Sequence, residues 1–471
     1  MRRLAVYLKN YKKESILAPF FKFLEVVFDL LVPVVIARMI DVGIAGNNRE
    51  VIIQNFFILL LMAAAGLTVS ITAQFFAAKA STGFAAELRQ AVFDHVQSFS
   101  FSQLDRLGTD TLITRLTDDI NQVQNGLNMG LRLLLRSPFI VLGSMVMAFT
   151  VNVRCALIFV VAIPVLFLAV FLIMYLSIPL FRNVQGKLDK VTGLTRENLT
   201  GVRVIRAFCR EQESVAEFDL HNRELTKLNE FVGKLSALLN PLTYVLINLA
   251  TVILISRAGI QVHLGNMQQG EVVALYNYMA QMIIELIKLA SLIITLNKSA
   301  ACAGRVADIL KITPAMDYPE ETAAHTPSAC AVAFEHVTFS YPDTGAPSLS
   351  DISFSAEKGQ TVGITGGTGS GKKTLVNLIA RFYDAPEGQV LLDGQNIRNY
   401  TQDVLREKIG VVPQKAALFK GTIRENMKWG REDATDEEIW AAPSMAQARE
   451  FVAKKDGWHD FHLSQNAKNL Y

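Results

Sequence analysis

The sequence predicts an all-α membrane domain of six transmembrane helices, followed by an incomplete α/β domain that carries a phosphate-binding loop. Three observations support this fold class. The chain is 51% hydrophobic with a mean hydropathy of +0.28, which is too apolar for an ordinary soluble protein. Six apolar stretches occupy its first 300 residues, and a glycine-rich loop lies in its last third. The net charge of +3 over 471 residues gives no indication of a nucleic-acid partner.

Each of the six stretches is long enough to cross a bilayer, since about 20 apolar residues in a helix span about 30 Å of hydrocarbon. We place the spans near residues 16–40, 52–77, 133–152, 155–181, 238–262 and 271–297. Long polar connections follow the second and fourth spans and hold most of the loop cations. Because cytoplasmic loops are enriched in such cations, we expect a multi-pass protein of the cytoplasmic (inner) membrane with both termini in the cytoplasm.

Two spans contain charged residues. In the first, Lys22, Glu25 and Asp29 recur at i, i+3 and i+7 and therefore share one helical face; Glu285 and Lys288 form a second pair in the sixth. Charges at bilayer depth usually pair with each other or line a polar path. Three interpretations stay open: a buried network of ion pairs, direct contact with a transported substrate, and, for Lys22, an ammonium that reaches the inner interface.

The apolar pattern ends near residue 300, and we divide the chain into a membrane domain over residues 1–300, a linker over 301–331 and a partial nucleotide domain over 332–471. Segments rich in β-forming residues lie at 331–341, 351–354 and 361–365, and the last leads into the glycine loop. A helix is expected to follow the loop over 374–380. Asp393-Gly394 ends a short apolar strand and predicts a hairpin turn rather than a metal-binding strand end.

The loop itself matches the pattern G-x-x-x-x-G-K-[S/T] except at its last position. Backbone N–H groups of such a loop wrap the phosphates, the lysine reaches the terminal phosphates, and the Ser/Thr hydroxyl binds Mg²⁺. Lys373 stands where the hydroxyl belongs, so we expect Mg²⁺ to be repelled. Either Lys373 partly replaces the metal charge and permits metal-free binding, or it is a lesion from drift or error. The candidate nucleotide-binding residues here are Gly366, Gly367, Thr368, Gly369, Ser370, Gly371, Lys372, Lys373 and Thr374.

Further segments carry a family resemblance. These are Phe28 to Pro33 in the first span, Gly108 to Asp119 after the first cytoplasmic turn, and Glu197 to Phe208 in the second. With the six spans and the phosphate loop, they make the chain similar to a bacterial ABC exporter half-transporter of the multidrug type. The resemblance implies short coupling helices at about Ser102 to Gly108 and Gly201 to Phe208, which in the family dock on the nucleotide domains.

The resemblance also implies a cofactor and partners. Tyr341 matches the aromatic residue that stacks on the adenine of ATP, and Gln414 matches the glutamine that reaches Mg²⁺ and the attacking water. In the family, two nucleotide domains sandwich ATP. The implied partners are a second half-transporter, as a homo- or heterodimer, membrane lipid, and a small-molecule, lipid or peptide substrate, without nucleic acid.

The chain departs from the family near its end. Leu463-Ser464-Gln465 only partly matches the signature Leu-Ser-Gly-Gly-Gln, and Pro443 falls where a helix is expected. We expect a nucleotide domain that is truncated before the signature, the catalytic glutamate and the switch histidine. No catalytic residue is therefore assigned, and we expect the chain to be inactive alone. The alternative function is a non-catalytic membrane fragment with a nucleotide-binding remnant, either regulatory or a pseudogene product.

Overall fold

The structure, a computed structural model, describes residues 4–323, 328–341, 345–414, 417–464, 467 and 469. It divides into two compact units. The first comprises residues 1–99 and 103–315, and the second comprises residues 100–102 and 316–471.

In the described residues, the secondary structure of the first unit consists of helices. A 3₁₀ turn, Leu4–Tyr11, precedes the first helix, and π turns occur at Met39–Ile44 and Arg115–Asp119. The α-helices are α1 (Lys12–Arg38), α2 (Arg49–Gln97), α3 (Phe101–Leu107), α4 (Thr109–Thr114), α5 (Ile120–Leu133), α6 (Arg136–Val151), α7 (Val153–Thr200), α8 (Val202–Ala207), α9 (Glu211–Ala237), α10 (Leu239–His263) and α11 (Gln269–Ile309). Short helices α3 and α8 therefore lie at the two positions where coupling helices are expected.

Five helical segments of the described chain are long and apolar enough to cross a membrane: Arg49–Gln97, Thr109–Val151, Val153–Thr200, Glu211–His263 and Gln269–Ile309. These overlap five of the six predicted spans. The first predicted span, 16–40, folds into α1 and the π turn that follows, but it is not among the five. Lys22, Glu25 and Asp29 lie within α1 and lower its apolar character. The count of six spans is thus not confirmed.

Packing of α11 against its neighbours forms the core of this unit. At one end, Leu275, Tyr278 and Met282 of α11 are fully buried together with Phe159 of α7. At the other end, Val306 of α11 packs in a second cluster with residues of α2 and α5. The Tyr278 hydroxyl donates to the Leu30 carbonyl oxygen over 2.8 Å and so joins α11 to α1. This arrangement brings the charged faces of α1 and α11 toward each other.

The second unit contains an antiparallel sheet in the order β2-β1-β3-β4. Its strands are β1 (Cys330–Phe339), β2 (Leu349–Glu357), β3 (Glu387–Leu392) and β4 (Gln395–Asn396). Phe334 pairs with Phe354 across β1 and β2, and their rings stack with centroids 4.8 Å apart. Two predicted strands, 331–341 and 351–354, are thereby confirmed. The predicted turn is confirmed as well, because Asp393 and Gly394 join β3 to β4 with φ of 51° and 82°, as the favoured two-residue hairpin turn requires.

The prediction of a third strand over 361–365 is wrong, because residues 361–367 form no regular backbone pairing in the structure. Val362 and Ile364 are 45% and 42% exposed. Within the part of the chain that the structure describes, no strand lies beside this segment. A β-strand needs a neighbour to accept and donate its backbone hydrogen bonds, so apolar β-forming residues alone do not produce one.

The helices of the second unit are α12 (Lys372–Ile379), α13 (Gln402–Lys408), α14 (Ile423–Met427), α15 (Asp436–Met445) and α16 (Arg449–Ala453). The helix α12 confirms the helix predicted after the glycine loop. Pro443 lies in the last turn of α15, where it is buried. Short 3₁₀ turns, Ile397–Asn399 and Trp458–Asp460, and a two-stranded sheet of β5 (Gly421–Thr422) and β6 (His462–Leu463) complete the unit. Gln465, part of the partial signature match, lies outside the described residues.

Candidate functional site

The glycine loop leads into α12 through a residue that only glycine accommodates well. Gly371 has a φ of 85° and caps the N-terminus of α12. A Cβ atom at this position would lie 2.6 Å from the Ser348 carbonyl oxygen, so the loop also passes close to the backbone before β2. Both constraints hold the start of α12 at the mouth of the loop. Free N–H groups at a helix N-terminus favour a bound anion there.

Lys372 closes the loop on itself. Its Nζ donates to the carbonyl oxygens of Gly366 and Gly367 over 2.8 and 2.6 Å, and lies 3.2 Å from Ser370 Oγ. These contacts hold the ammonium group across the loop that the sequence pattern assigns to phosphates. The lysine is therefore positioned before any ligand binds.

The predicted nucleotide residues lie around one cavity. It has a volume of about 490 Å³ and is lined by Tyr341, Ser348, Thr368, Gly369, Ser370, Gly371, Lys372, Lys373, Thr374 and Gln414. Gly366 and Gly367 do not line it but accept the hydrogen bonds of Lys372. Gln414, 40 residues beyond Thr374, is thus brought to the loop. Ser348 was missed by sequence reasoning, because nothing in the pattern before β2 distinguishes it.

Tyr341 is fixed beside the loop by aromatic and polar contacts. Its ring meets those of Phe339 and Tyr383 edge to face, with centroids 5.0 and 5.3 Å apart. Its hydroxyl lies 3.2 Å from Thr374 Oγ1, and the Thr374 residue is only 5% exposed. The hydroxyl of Thr374 is therefore already bound within the protein, next to the position where Lys373 replaces the expected hydroxyl.

The residues of this cavity do not fit Mg²⁺. This ion takes an octahedral shell of oxygen ligands and is usually held by one or two carboxylates besides phosphates and waters. Among the described residues that line the cavity there is no carboxylate, and the two charged side chains, Lys372 and Lys373, are both cations. Gln414 offers one neutral amide oxygen. A divalent cation would lie beside two ammonium groups without a compensating protein charge.

A second group of polar residues lies inside the first unit, where α1, α6 and α11 meet. We call Lys22, Glu25, Asp29, Arg136, Glu285 and Lys288 the charge cluster. Arg136 is its centre, because its guanidinium lies 3.0 Å from Asp29, 3.7 Å from Glu25 and 3.8 Å from Glu285. Lys22 pairs with Glu25 over 2.5 Å, and Lys288 with Glu285 over 2.9 Å. The three cations balance the three carboxylates.

Sequence reasoning missed Arg136, whose only signal is one cation near the start of the third predicted span. The structure also shows that Lys22 is buried and paired, so the ion-pair interpretation describes it and an ammonium at the inner interface does not. The side chains of the charge cluster differ in how far they are exposed to solvent. Side chains of Lys22 and Glu285 are each 4% exposed, whereas those of Asp29 and Lys288 are 40% and 43% exposed.

Comparison with known proteins identifies the family. The profile described as the ABC transporter transmembrane region matches residues 15–286, and the profile described as ABC transporter matches residues 349–470. The chain belongs to the ABC transporter family. It is 33% identical over 474 aligned residues to YfiB of Bacillus subtilis, an uncharacterized ABC transporter ATP-binding protein; the alignment covers all of this chain and 82% of the relative.

Other relatives carry the same description. One from Mycobacterium tuberculosis is 32% identical over 450 residues, covering 95% of this chain and 77% of the relative. YfiC of B. subtilis is 30% identical over 474 residues, covering all of this chain and 78% of the relative. This ABC protein is therefore a transporter subunit with a membrane region of the exporter type and an ATP-binding domain.

Proposed function

We propose that this ABC transporter subunit is half of an ATP-driven exporter in the cytoplasmic membrane and pairs with a second half-transporter. In this proposal residues 1–300 form the membrane domain, 301–331 the linker and 332–471 the nucleotide domain. The single observation that carries it is the cavity in which the glycine loop, Tyr341 and Gln414 lie together. In this arrangement Tyr341 stacks on adenine, the loop and Lys372 hold the phosphates, and the signature segment of the second subunit completes the site.

Two features of the membrane unit favour substrates that are mainly apolar but carry a polar group, such as drug-like molecules, lipids or peptides. A cavity of about 300 Å³ lies between α7 and α11, where Phe167, Phe171 and Tyr175 stack at i, i+4 and i+8. Ile293 of α11 lines the opposite side. The exposed edge of the charge cluster, at Asp29 and Lys288, adds one carboxylate and one ammonium group to the same unit.

A second function is favoured by one observation, the cation at position 373. Mg²⁺ normally neutralises the charge that develops during phosphoryl transfer. A site that does not hold the metal would bind nucleotide without cleaving it, so the chain would act as a regulatory, non-catalytic subunit.

Inverted membrane vesicles distinguish the two functions. We expect vesicles that contain the full chain together with a second half-transporter to bind ATP and to accumulate an amphipathic dye when ATP is added, and Lys372→Ala to reduce both. ATP binding without ATP-dependent accumulation would exclude the exporter and support the regulatory subunit. Loss of neither property in Lys372→Ala would contradict the assignment of the cavity. Lys187→Ala, which removes an exposed cation of the membrane unit, is the matched control.

A further inference from the structure

The nucleotide cavity carries a feature that the exporter mechanism of the proposed function does not use. Lys373 lines the cavity, is exposed, and stands directly after the loop lysine. We infer that this cavity binds the polyphosphate of ATP without a divalent cation, and that the Lys373 ammonium supplies the positive charge that the metal would bring. The inference rests on the proposed function, since it assumes that ATP is the ligand.

The first step concerns the hydroxyl. A loop of this type offers its metal one hydroxyl, at the position that Lys373 occupies. The next residue, Thr374, also lines the cavity, but its side chain is mostly buried and its Oγ1 lies within hydrogen-bonding distance of the Tyr341 hydroxyl. A metal bound through Thr374 Oγ1 would therefore compete with that contact. The loop therefore presents an ammonium group where a metal ligand is expected.

The second step concerns the distribution of charge. Lys372 is held by the carbonyl oxygens of Gly366 and Gly367, so its position is set by the loop itself. Lys373 follows it on the exposed side of α12. No carboxylate lies among the described residues that line the cavity, and the only charges there are these two cations. An anionic ligand is favoured by such a site, and hydrogen bonds between ammonium and phosphate groups are among the strong ones.

The third step compares the two ways of neutralising a triphosphate. A bound metal brings two charges but needs oxygen ligands from the protein, which this cavity supplies only through neutral groups such as Gln414. Lys373 brings one positive charge that is already part of the protein and needs no oxygen ligands to hold it in the cavity. Added Mg²⁺ would compete with Lys373 for the same phosphate oxygens. We therefore expect metal to leave ATP affinity unchanged or to weaken it.

The test measures ATP binding to the purified full chain in detergent, with either EDTA or excess Mg²⁺ present. The wild type is compared with Lys373→Met, which keeps an unbranched side chain without the charge, and with Lys373→Ser, which restores the hydroxyl. Because residue 373 is exposed, these variants are expected to fold. Fluorescence of the three tryptophans, all in the second unit, verifies this.

In EDTA we expect Lys373→Met and Lys373→Ser to bind ATP about tenfold more weakly than the wild type, or about 1.4 kcal/mol. Excess Mg²⁺ should strengthen binding by Lys373→Ser and not by the wild type. The inference is overturned if Mg²⁺ tightens wild-type binding about tenfold, or if Lys373→Met matches the wild type in EDTA. It is also overturned if only Lys373→Ser with Mg²⁺ binds ATP. Failure of every variant under both conditions would instead contradict the proposed function itself.

Discussion

At the scale of single residues, Arg136 has three partners of opposite charge, more than any other described residue of the membrane unit has among the ion pairs of the structure. Its guanidinium is shared by Glu25, Asp29 and Glu285, which come from two helices far apart in sequence. Ser137 Oγ also donates to Glu285 over 2.8 Å. Uncompensated charges are costly in a low-dielectric interior, so three carboxylates can lie this close only because cations lie between them.

Replacing Arg136 should destabilise the membrane unit. We expect Arg136→Met to lower its stability by about 3–5 kcal/mol, as for other interior ion pairs that lose one partner. Cys155 and Cys302 are buried in this unit, so a thiol-reactive dye reports its unfolding in a background in which Cys209 and Cys330 are replaced by serine. The measurement is the temperature at which the dye reacts.

The matched control is Arg210→Met. Arg210 pairs with Glu213 over 2.6 Å, but both side chains are more than 60% exposed. Exposed pairs contribute roughly 0–1 kcal/mol, so this variant should unfold close to the wild type. Equal unfolding temperatures for both variants would show that Arg136 does not hold the cluster together.

At the scale of elements, the β3–β4 hairpin is fixed by both its turn and its charges. The carboxylate of Asp393 is 2.8 Å from Lys408 of α13 and 3.1 Å from Lys358 after β2. Hydrogen bonds from Lys408 and then Lys358 hold the pKa of the Asp393 carboxyl below its usual value. The turn residue thus also ties the sheet to a helix.

The hairpin should therefore lose stability in acid. A carboxyl whose pKa is lowered by folding stabilises the protein fully above its unfolded pKa, about 3.9, and this contribution disappears as the pH falls through the folded pKa. Asp393→Asn keeps a residue that tolerates positive φ but removes the charge. We expect its denaturation midpoint, followed by tryptophan fluorescence, to lie below that of the wild type at pH 7 and to converge with it below about pH 4.

Asp433→Asn serves as the control, because its side chain is 86% exposed and sits in a loop. It should match the wild type at every pH. A wild-type advantage over Asp393→Asn that stayed constant into strong acid would contradict the assignment of the effect to this carboxylate.

These elements also explain which features could be predicted from sequence. The Asp393-Gly394 turn and α12 depend on residues that are adjacent in sequence, so local sequence patterns were sufficient to predict them. The segment 361–365 has the composition of a strand, but whether it becomes one depends on a neighbour, which local pattern does not reveal. Arg136 was missed for the same reason, because its partners Asp29 and Glu285 are more than 100 positions away. The glycine loop was found by its sequence pattern, whereas the contact between the hydroxyl groups of Tyr341 and Thr374 could be found only in the structure.

At the scale of the whole molecule, the topology of the chain depends on whether α1 crosses the membrane. Its hydropathy is reduced by Lys22, Glu25 and Asp29, yet Lys22 pairs with Glu25, and Arg136 of α6 pairs with Glu25 and Asp29. A charged helix can span a bilayer when its polar face is turned into the protein. We therefore predict that α1 is a sixth span and that the N-terminal turn lies on the same side of the membrane as the connection between α7 and α9.

Labelling with a membrane-impermeant maleimide tests this topology. Cys209, in that connection, is exposed and serves as the internal reference. In a background without other cysteines, we expect Cys209 to react in inside-out vesicles but not in intact cells. A cysteine introduced by Lys9→Cys, in the N-terminal 3₁₀ turn, should behave identically if α1 crosses. If α1 instead lies outside the bilayer while the other five segments cross, residue 9 would react in intact cells and Cys209 would not, because an odd number of spans places the two positions on opposite sides.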